Sequence, residues 1–293
     1  MRVELEPGKY VVAVSGGVDS VVLLDALAKI ENLQLTVAHF DHGIRSDSDL
    51  DRQLVQELAK KYRLPFVYER GKLGAGASEA VARQARYDFL RQVQRATGAQ
   101  ALVTAHHQDD LVETAIINML RGTGRSGITS LKDRYHLRRP MLHLPKSQIR
   151  HYASEQGLKW REDSTNSDMT LLRNYVRGSI IPKLGEGGRK ELLDHIGHMS
   201  VVNRAIDSEM QLYLHLQPSR QTLDRHAFTQ LSHAVALEVM ASWLRSHGVR
   251  DFNAKQLEQL VALCKTLQAG KQIIIDSTHR ILLGRESVSL IAS

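Results

Sequence analysis

Residues Tyr10–Ser20 read "YVVAVSGGVDS". The apolar run Val11–Val14 stops at a serine, and two glycines lead into an aspartate and a second serine. A short β-branched run bounded by glycine predicts a buried parallel strand. From Ser20 to Ile30, Val21, Val22, Leu24, Leu27 and Ala28 fall at helical spacing. Strand, glycine-rich turn and helix are the parts of a phosphate cradle. The glycines let the backbone approach an anion, and the N–H groups at the helix start face it. Ser15, Gly16, Gly17, Val18, Asp19 and Ser20 are therefore candidate phosphate-binding residues, with the two serine hydroxyls as added donors. No Gly-Lys-Ser/Thr stands at the required spacing, so this is not a Walker A loop, and it holds no lysine to grip a γ-phosphate. Asp19 is an odd neighbour for phosphates unless it helps hold Mg2+ or orients the loop. A plain N-capped turn would account for a lone Ser-Gly-Gly, but poorly for all six residues after a strand.

The alternation continues outward. Leu33–Phe40 and Pro65–Glu69 read as strands, Asp47–Tyr62 as a charged amphipathic helix and Ala77–Thr97 as a long one. Ala101–Ala105 is another strand, followed by a helix over Asp109–Leu120. Strands alternating with helices predict a doubly wound parallel sheet with helices on both faces. "RGTGRSG" at Arg121–Gly127 breaks the rhythm, and Ser147–Gln156 reads as a helix capped by Gly157. Residues 162–172 are polar and read as a loop. "LGEGG" at 184–188 is the expected domain boundary. Beyond it Arg189–Leu216, Ala234–His247 and Lys255–Leu267 read as helices, and 271–291 as two strands or a small hairpin.

The chain has 293 residues, 42% hydrophobic and 24% charged, an ordinary globular composition with length for one large core or two domains. No apolar run is long enough to span a bilayer, and the N-terminus lacks the apolar stretch of a secretory signal. No membrane partner is expected. The single cysteine, Cys264, excludes a disulfide framework within the chain and argues against a cysteine-ligated metal or iron–sulfur site. A reducing, cytoplasmic setting fits. The formal charge is +7, with an isoelectric point near 9.5. Residues 132–190 hold thirteen Lys/Arg against six Asp/Glu, a surplus that equals the whole net charge. A solvated basic face or an RNA-facing wall would account for it.

"HHQDDLVET" is the second informative stretch. Asp110 and Glu113, spaced i, i+3 at a helix start, face one side, and paired carboxylates suit an incoming cation. Carboxylates that favour the helix dipole are the plainer reading. Asp109 is a cap or a magnesium ligand. His106 or His107 is a candidate base or phosphate contact, while a zinc site lacks a third ligand. His39 stands at the C-terminal edge of the second strand, where open α/β sheets bind ligands, with Asp41 and His42 just beyond. Arg83 and Arg86 are close on one helix and suit phosphate or RNA, or a surface salt-bridge face. Arg121 and Arg125 sit in flexible backbone suited to RNA or phosphates. Arg173 and Arg177 are expected to meet a carboxylate or phosphate, with exposed helix arginines as the alternative.

"SGGVDS" after an N-terminal strand resembles the pyrophosphate-binding loop of the N-type ATP pyrophosphatases, which cleave ATP between the α- and β-phosphates and adenylate a substrate. Four more stretches, in order, resemble the tRNA(Ile)-lysidine synthase family: "HFDHGIRSDSDLD" (39–51), "EAVARQARYDFL" (79–90), "TAHHQDDLVETAIINMLRGTGRSGI" (104–128) and "REDSTNSDMTLLRNYVRGSIIPKL" (161–184). The last hundred or so residues resemble, less specifically, that family's helical middle domain, and the chain stops there as short members do. The resemblance implies an adenine nucleotide alpha-hydrolase-like catalytic domain over 1–185 and a smaller helical tRNA-binding domain over 186–293 ending in a short hairpin. It implies ATP and Mg2+, adenylation of C2 of the wobble cytidine of tRNA(Ile) with a CAU anticodon, and displacement of AMP by free L-lysine. It places lysine at Asp110 and Glu113, and adenine against the backbone near Ala38. A homodimer is a further partner to consider; the sequence does not give the oligomeric state. The rival readings are a thiolase-like tRNA-modifying enzyme, against which the lone cysteine argues, and a non-catalytic basic RNA-binding module.

Overall fold

A computed structural model describes residues 1–43, 47–71, 74, 78–162, 172–217, 219–249 and 252–292. Residues 44–46 and 163–171, which carry parts of two of the quoted stretches, lie outside the described residues. The chain divides into two compact units, one of residues 1–120 and 129–193, the other of 121–128 and 194–293.

The first unit is the expected α/β layer structure. Strands β1 (Gly8–Ala13), β2 (Leu33–Asp41), β3 (Phe66–Arg70), β4 (Ala101–Val103) and β5 (Leu137–Arg138) form one parallel sheet in the order β3-β2-β1-β4-β5. Its helices are α1 (Val18–Ala28), α2 (Ser48–Lys61), α3 (Glu79–Thr97), α4 (Gln108–Leu120) and, after a single-turn α5 (Arg125–Ile128) in the second unit, α6 (Lys146–Glu155). The period-2 geometry of a strand sorts the β1 side chains onto two faces. Tyr10, Val12 and Val14 join one core with residues of α1, α2 and α6, whereas Val11 faces a second core built on Tyr87, Phe89, Leu90 and Val93 of α3. Both faces are covered, which is why β1 reads as a continuous apolar run.

A third cluster joins Val112 and Ile116 of α4 to Val176. Val176 opens a π-helical turn, Val176–Ile180, between α7 (Leu172–Tyr175) and the long α8 (Ile181–His215). The expected break at "LGEGG" is a kink inside α8: Gly185 has φ 62° and ψ −176°, and helix resumes beyond it. The division between units falls later, between Leu193 and Asp194.

The second unit packs α9 (Arg225–Gln230), α10 (His233–Ser246) and α11 (Ala254–Thr266) with an antiparallel sheet. That sheet holds β6 (Thr222–Asp224), β7 (Gln272–Ile274), β8 (His279–Leu283) and β9 (Ser287–Ala292) in the order β6-β9-β8-β7. The end of the chain is thus a hairpin, β8–β9, flanked by two three-residue strands. Cys264 is fully buried beside Phe228, Trp243 and Val261, and burial pushes its thiol up to about 12. No described helix is long and apolar enough to cross a membrane.

Candidate active site

The order β3-β2-β1-β4-β5 makes β1 and β4 neighbours although the chain leaves them on opposite sides of the sheet. Loops leaving such a switch point diverge and open a crevice at the carboxyl ends of the strands. Here the loop after β1 carries Ser15–Gly17 and the loop after β4 carries Ala105–His107. Between them lies a cavity of about 430 Å³, lined by Ser15, Gly17, Asp19, Ser20, Ala38, His39, Asp41, His42, Arg86, His106 and Asp110 among others. Its size suits a small-molecule ligand.

The first loop is held in shape by its own side chains. Gly16 takes φ +95°, a conformation that disfavours a Cβ, although Asp51 is no closer than 3.5 Å to where one would stand. The buried Ser20 hydroxyl accepts from the Ser15 N–H at 3.1 Å and donates to the Gly17 carbonyl at 2.9 Å. Ser20 therefore shapes the loop, and is not the free donor the sequence suggested. Val18 opens α1 and is buried, so its contribution is its backbone. Arg161 donates its N–H to the Gly16 carbonyl at 3.0 Å. Its guanidinium grips Asp51 at 2.7 Å and Asp47 at 2.6 Å.

On the β2 side, His39 is buried within the strand and donates Nδ1–H to the Val14 carbonyl at 2.8 Å. That bond makes Nε2 an acceptor. It is buried without a partner among the described residues, in a residue lining the cavity, so a ligand hydroxyl or amine matches it. Burial lowers the His39 pKa. Asp41 is committed to its own loop. It accepts from the Gly43 N–H and the Ser48 hydroxyl, each at 2.8 Å, with Arg70 Nε at 3.4 Å. Burial pushes its carboxyl up, but these bonds and Arg70 outweigh that and hold it below the usual range. His42 packs edge-on against Phe40, with ring centroids 5.1 Å apart.

Opposite, α4 opens with a chain of charged groups. The His107 N–H donates to Asp110 Oδ2 at 3.0 Å, capping the helix. The Asp109 N–H donates to His107 Nδ1 at 3.2 Å, which makes Nδ1 the accepting nitrogen and leaves Nε2 as the donor. Nε2 stands 3.5 Å from Asp110 Oδ2 and 3.7 Å from Asp19 Oδ2, spanning the two loops. Glu113 is buried and takes Arg173 Nε at 3.0 Å and Arg177 at 2.6 and 3.0 Å. The four residues Asp110, Glu113, Arg173 and Arg177 are thus brought together, with the arginines 3.8 and 4.0 Å from Asp110. Yet Glu113 faces guanidinium, not solvent. Of the pair, Asp110 is the carboxylate that lines the cavity. Asp109 is bound by Arg189 and by the Lys146 N–H, and the Lys146 ammonium lies on Asp19.

On the remaining wall, Arg83 and Arg86 stack over Tyr87, at 4.9 and 5.4 Å from its ring centroid. Only Arg86 of the two lines the cavity. His106 meets Thr104 Oγ1 at 2.8 Å. Burial, then Arg139, Arg86, Arg83 and Arg173, hold its pKa well below the ordinary value, so the ring is neutral. Arg121 and Arg125 belong to the second unit. Arg121 is exposed. Arg125, expected at RNA, is spent on its own unit. It forms a two-pronged pair with Glu238 at 3.0 and 2.8 Å, and reaches Asp207 at 3.0 Å and Asn203 Oδ1 at 2.9 Å.

Sequence reasoning missed Lys146, Arg161 and Arg189. Each meets its partner across 80 or more positions, and no local spacing marks such a contact. Among the described residues no three His, Cys, Asp or Glu side chains converge as metal ligands. Mg2+ characteristically takes one or two carboxylates together with phosphate oxygens, and Asp19, a hard oxygen donor at the cavity wall, fits that need.

Residues 2–184 match the PP-loop domain family. A tRNA(Ile)-lysidine synthase of Thermotoga sp. (strain RQ2) is 38% identical over 193 residues, 62% of this chain and 47% of that protein. One from Thermus thermophilus is 43% identical over 183 residues, 60% of this chain and 36% of its own length. The match thus spans half or less of these curated relatives. A tRNA(Ile)-lysidine synthase of Actinobacillus pleuropneumoniae serotype 3 aligns more widely, 28% identical over 86% of this chain and 62% of that protein. Among solved structures, the U34-tRNA thiolase NcsA of Methanococcus maripaludis, with its [4Fe-4S] cluster, superposes at a TM-score of 0.55 with 18% identity, covering 67% of this chain and 73% of its own. At that identity the likeness is one of fold.

Proposed function

The chain belongs to the PP-loop family, and from that premise we propose that it adenylates the wobble cytidine of a tRNA(Ile) with a CAU anticodon and exchanges the adenylate for lysine. The observation that carries this reading is His107 Nε2, 3.7 Å from Asp19 on the phosphate loop and 3.5 Å from the Asp110 carboxylate. The glycine-rich turn and the Asp110 carboxylate are thus neighbours, which supports a reaction that uses ATP and an amine.

In the first step the C2 oxygen of cytidine attacks the α-phosphorus of ATP, and pyrophosphate leaves. The N–H groups of Gly16 to Ser20 stabilise the charge that develops on the leaving group. The His39 Nε2 acceptor suits a hydroxyl or amino group of the adenosine. Arg86 and the neutral His106 face the cavity where the α-phosphate would lie, and a neutral imidazole of low basicity serves there as a hydrogen-bonding contact. Asp19 would hold Mg2+, which adds positive charge against the phosphates. In the second step the lysine ε-amine attacks C2, AMP leaves and the amine loses a proton. Asp110 holds the incoming lysine by an ammonium. Arg173 and Arg177, anchored by Glu113, fix the wall behind it. The sulfur chemistry of a thiolase finds no support here: the one cysteine of this chain is buried in the second unit with its thiol pushed up to about 12.

Mass spectrometry of tRNA after incubation with the protein, ATP and isotopically labelled lysine tests this. The expected result is a mass increase on the anticodon cytidine, with AMP and pyrophosphate released. Salt-sensitive RNA binding with no ATP–pyrophosphate exchange on any tRNA would leave a binding module instead.

A further inference from the structure

The turn that leads into β5 carries an aromatic ring that the fold leaves outside. Tyr135 is 80% exposed, more than any other large apolar side chain among the described residues. Arg134 and Leu137 pair across it through two backbone bonds, of 2.9 and 3.0 Å, so Tyr135 and His136 form a two-residue tip. Such tips favour Gly, Asn, Asp and Pro, and turn chemistry selects neither residue found here. Burying a tyrosine would stabilise the fold, so one held in water on a closed turn calls for another reason.

The turn is firmly mounted. The Leu102 N–H of β4 donates to the His136 carbonyl at 3.0 Å, and the Thr104 N–H to the Arg138 carbonyl at 3.0 Å. At the base, Asp133 Oδ1 accepts the Arg139 N–H at 2.7 Å, and the buried Arg139 guanidinium donates to the Lys132 carbonyl. β4, to which the turn is thus bonded, leads into the loop that brings His106 to the cavity. At the tip the Tyr135 and His136 rings meet edge-on, 4.6 Å between centroids. Residues 132–139 hold four Lys/Arg against Asp133 alone. Asp133 stands 4.0 Å from Arg138, whereas Lys132 and Arg134 are exposed and meet no carboxylate among the described residues.

An exposed ring between cations without counter-charges is what a single-stranded nucleic acid takes: the ring stacks on a base and the cations meet the phosphates beside it. An apolar protein surface would accept Tyr135 but would leave the charges around it unmatched, whereas a polyanion matches both. We propose that the Arg134–Leu137 turn is an RNA-docking element, on which an unpaired base of the tRNA stacks against Tyr135 while Lys132 and Arg134 hold the adjoining phosphates. That base lies outside the cavity, so the turn strengthens the grip on the RNA and takes no part in the chemistry. This inference rests on the proposed tRNA substrate.

Fluorescence anisotropy of labelled tRNA(Ile) with a CAU anticodon, and of a fully paired RNA duplex, tests it on the whole chain. Loss of one stacked base raises the dissociation constant of Tyr135→Ala for the tRNA about tenfold and leaves the duplex within about twofold. Tyr135→Phe and Tyr135→Trp keep the ring and stay within about twofold for both. Arg134→Gln lowers the slope of log affinity against log salt by about one contact. Circular dichroism and a thermal midpoint equal to the wild type show that each variant is folded. Binding of tRNA by Tyr135→Ala equal to the wild type overturns the inference and gives the turn to a protein partner. Equal losses in Tyr135→Ala and Tyr135→Phe, or for tRNA and duplex alike, overturn stacking on a base. A wild type that binds tRNA through Tyr135 but transfers no lysine sustains the inference and overturns the proposed function; one that binds no tRNA overturns both.

Discussion

Arg177 grasps the buried Glu113 carboxylate with two nitrogens, Nε 2.6 Å from Oε1 and Nη2 3.0 Å from Oε2. Arg173 adds a third bond at 3.0 Å. Two acidic residues at i, i+3 thus divide into a structural one and a cavity-facing one. Removing Glu113 leaves two neighbouring guanidiniums with only Asp110, 3.8 and 4.0 Å away, as counter-charge. Glu113→Ala is expected to lose about 2–4 kcal/mol of unfolding free energy, measured by urea denaturation. A loss below about 1 kcal/mol would contradict this account.

Asp110→Asn separates charge from capping. The amide oxygen can still accept from the His107 N–H, so stability should stay within about 1 kcal/mol of wild type. Lysine transfer to tRNA should be lost while ATP–pyrophosphate exchange continues. Unchanged lysine transfer would remove Asp110 from the amine site.

Gly16→Ala tests the loop backbone. The space for a Cβ is adequate, with the nearest atom 3.5 Å away, so the strain comes from φ +95° alone. A cost of about 1–2 kcal/mol in stability, with weaker ATP binding, is expected from thermal unfolding and titration. An unaltered melting temperature would mean that the loop relaxes freely.

His39 and His106 both have pKa values lowered below 6.5 by burial, His106 also by surrounding arginines. As pH falls below 6.5, each histidine gains a proton in the unfolded chain before it does in the folded one. Protons therefore favour unfolding, and stability drops by up to about 1.4 kcal/mol per pH unit per histidine. Asp41 and Asp109, held below 3.8, lose their contributions only at lower pH. Urea unfolding at pH of about 7.5, 6.5 and 5.5 should show the drop, and His106→Gln should flatten it. An equal slope in the variant would assign the effect elsewhere.

Arg125→Met removes the centre of the Glu238–Asp207–Asn203 network. Amide exchange across 121–128 should quicken about tenfold or more, with little change in β1. Exchange at the wild-type rate would mean that the network does not hold this segment.

The doubly wound sheet was legible because its signals are local. Apolar runs at period 2 or 3.6, bounded by Gly, marked four of the five parallel strands. β5 escaped because two residues, Leu137 and Arg138, carry no period. At the site, the loop and the α4 carboxylates were legible for the same reason. What Arg125 and Glu113 touch was not, since a guanidinium or carboxylate looks the same in sequence whether it meets a ligand or a partner 60 or more positions away. Ser20 is similar: its hydroxyl serves the carbonyl of Gly17, a choice made by turn geometry.

The deeply buried Cys264 has a practical consequence. Buried and with its thiol pushed up to about 12, the chain's sole native thiol is expected to react slowly with maleimides in the folded protein. A cysteine introduced at an exposed position such as Arg121 would then be the single reactive handle, and a fluorophore there could follow the 121–128 segment in real time without first stripping the protein of its own sulfur.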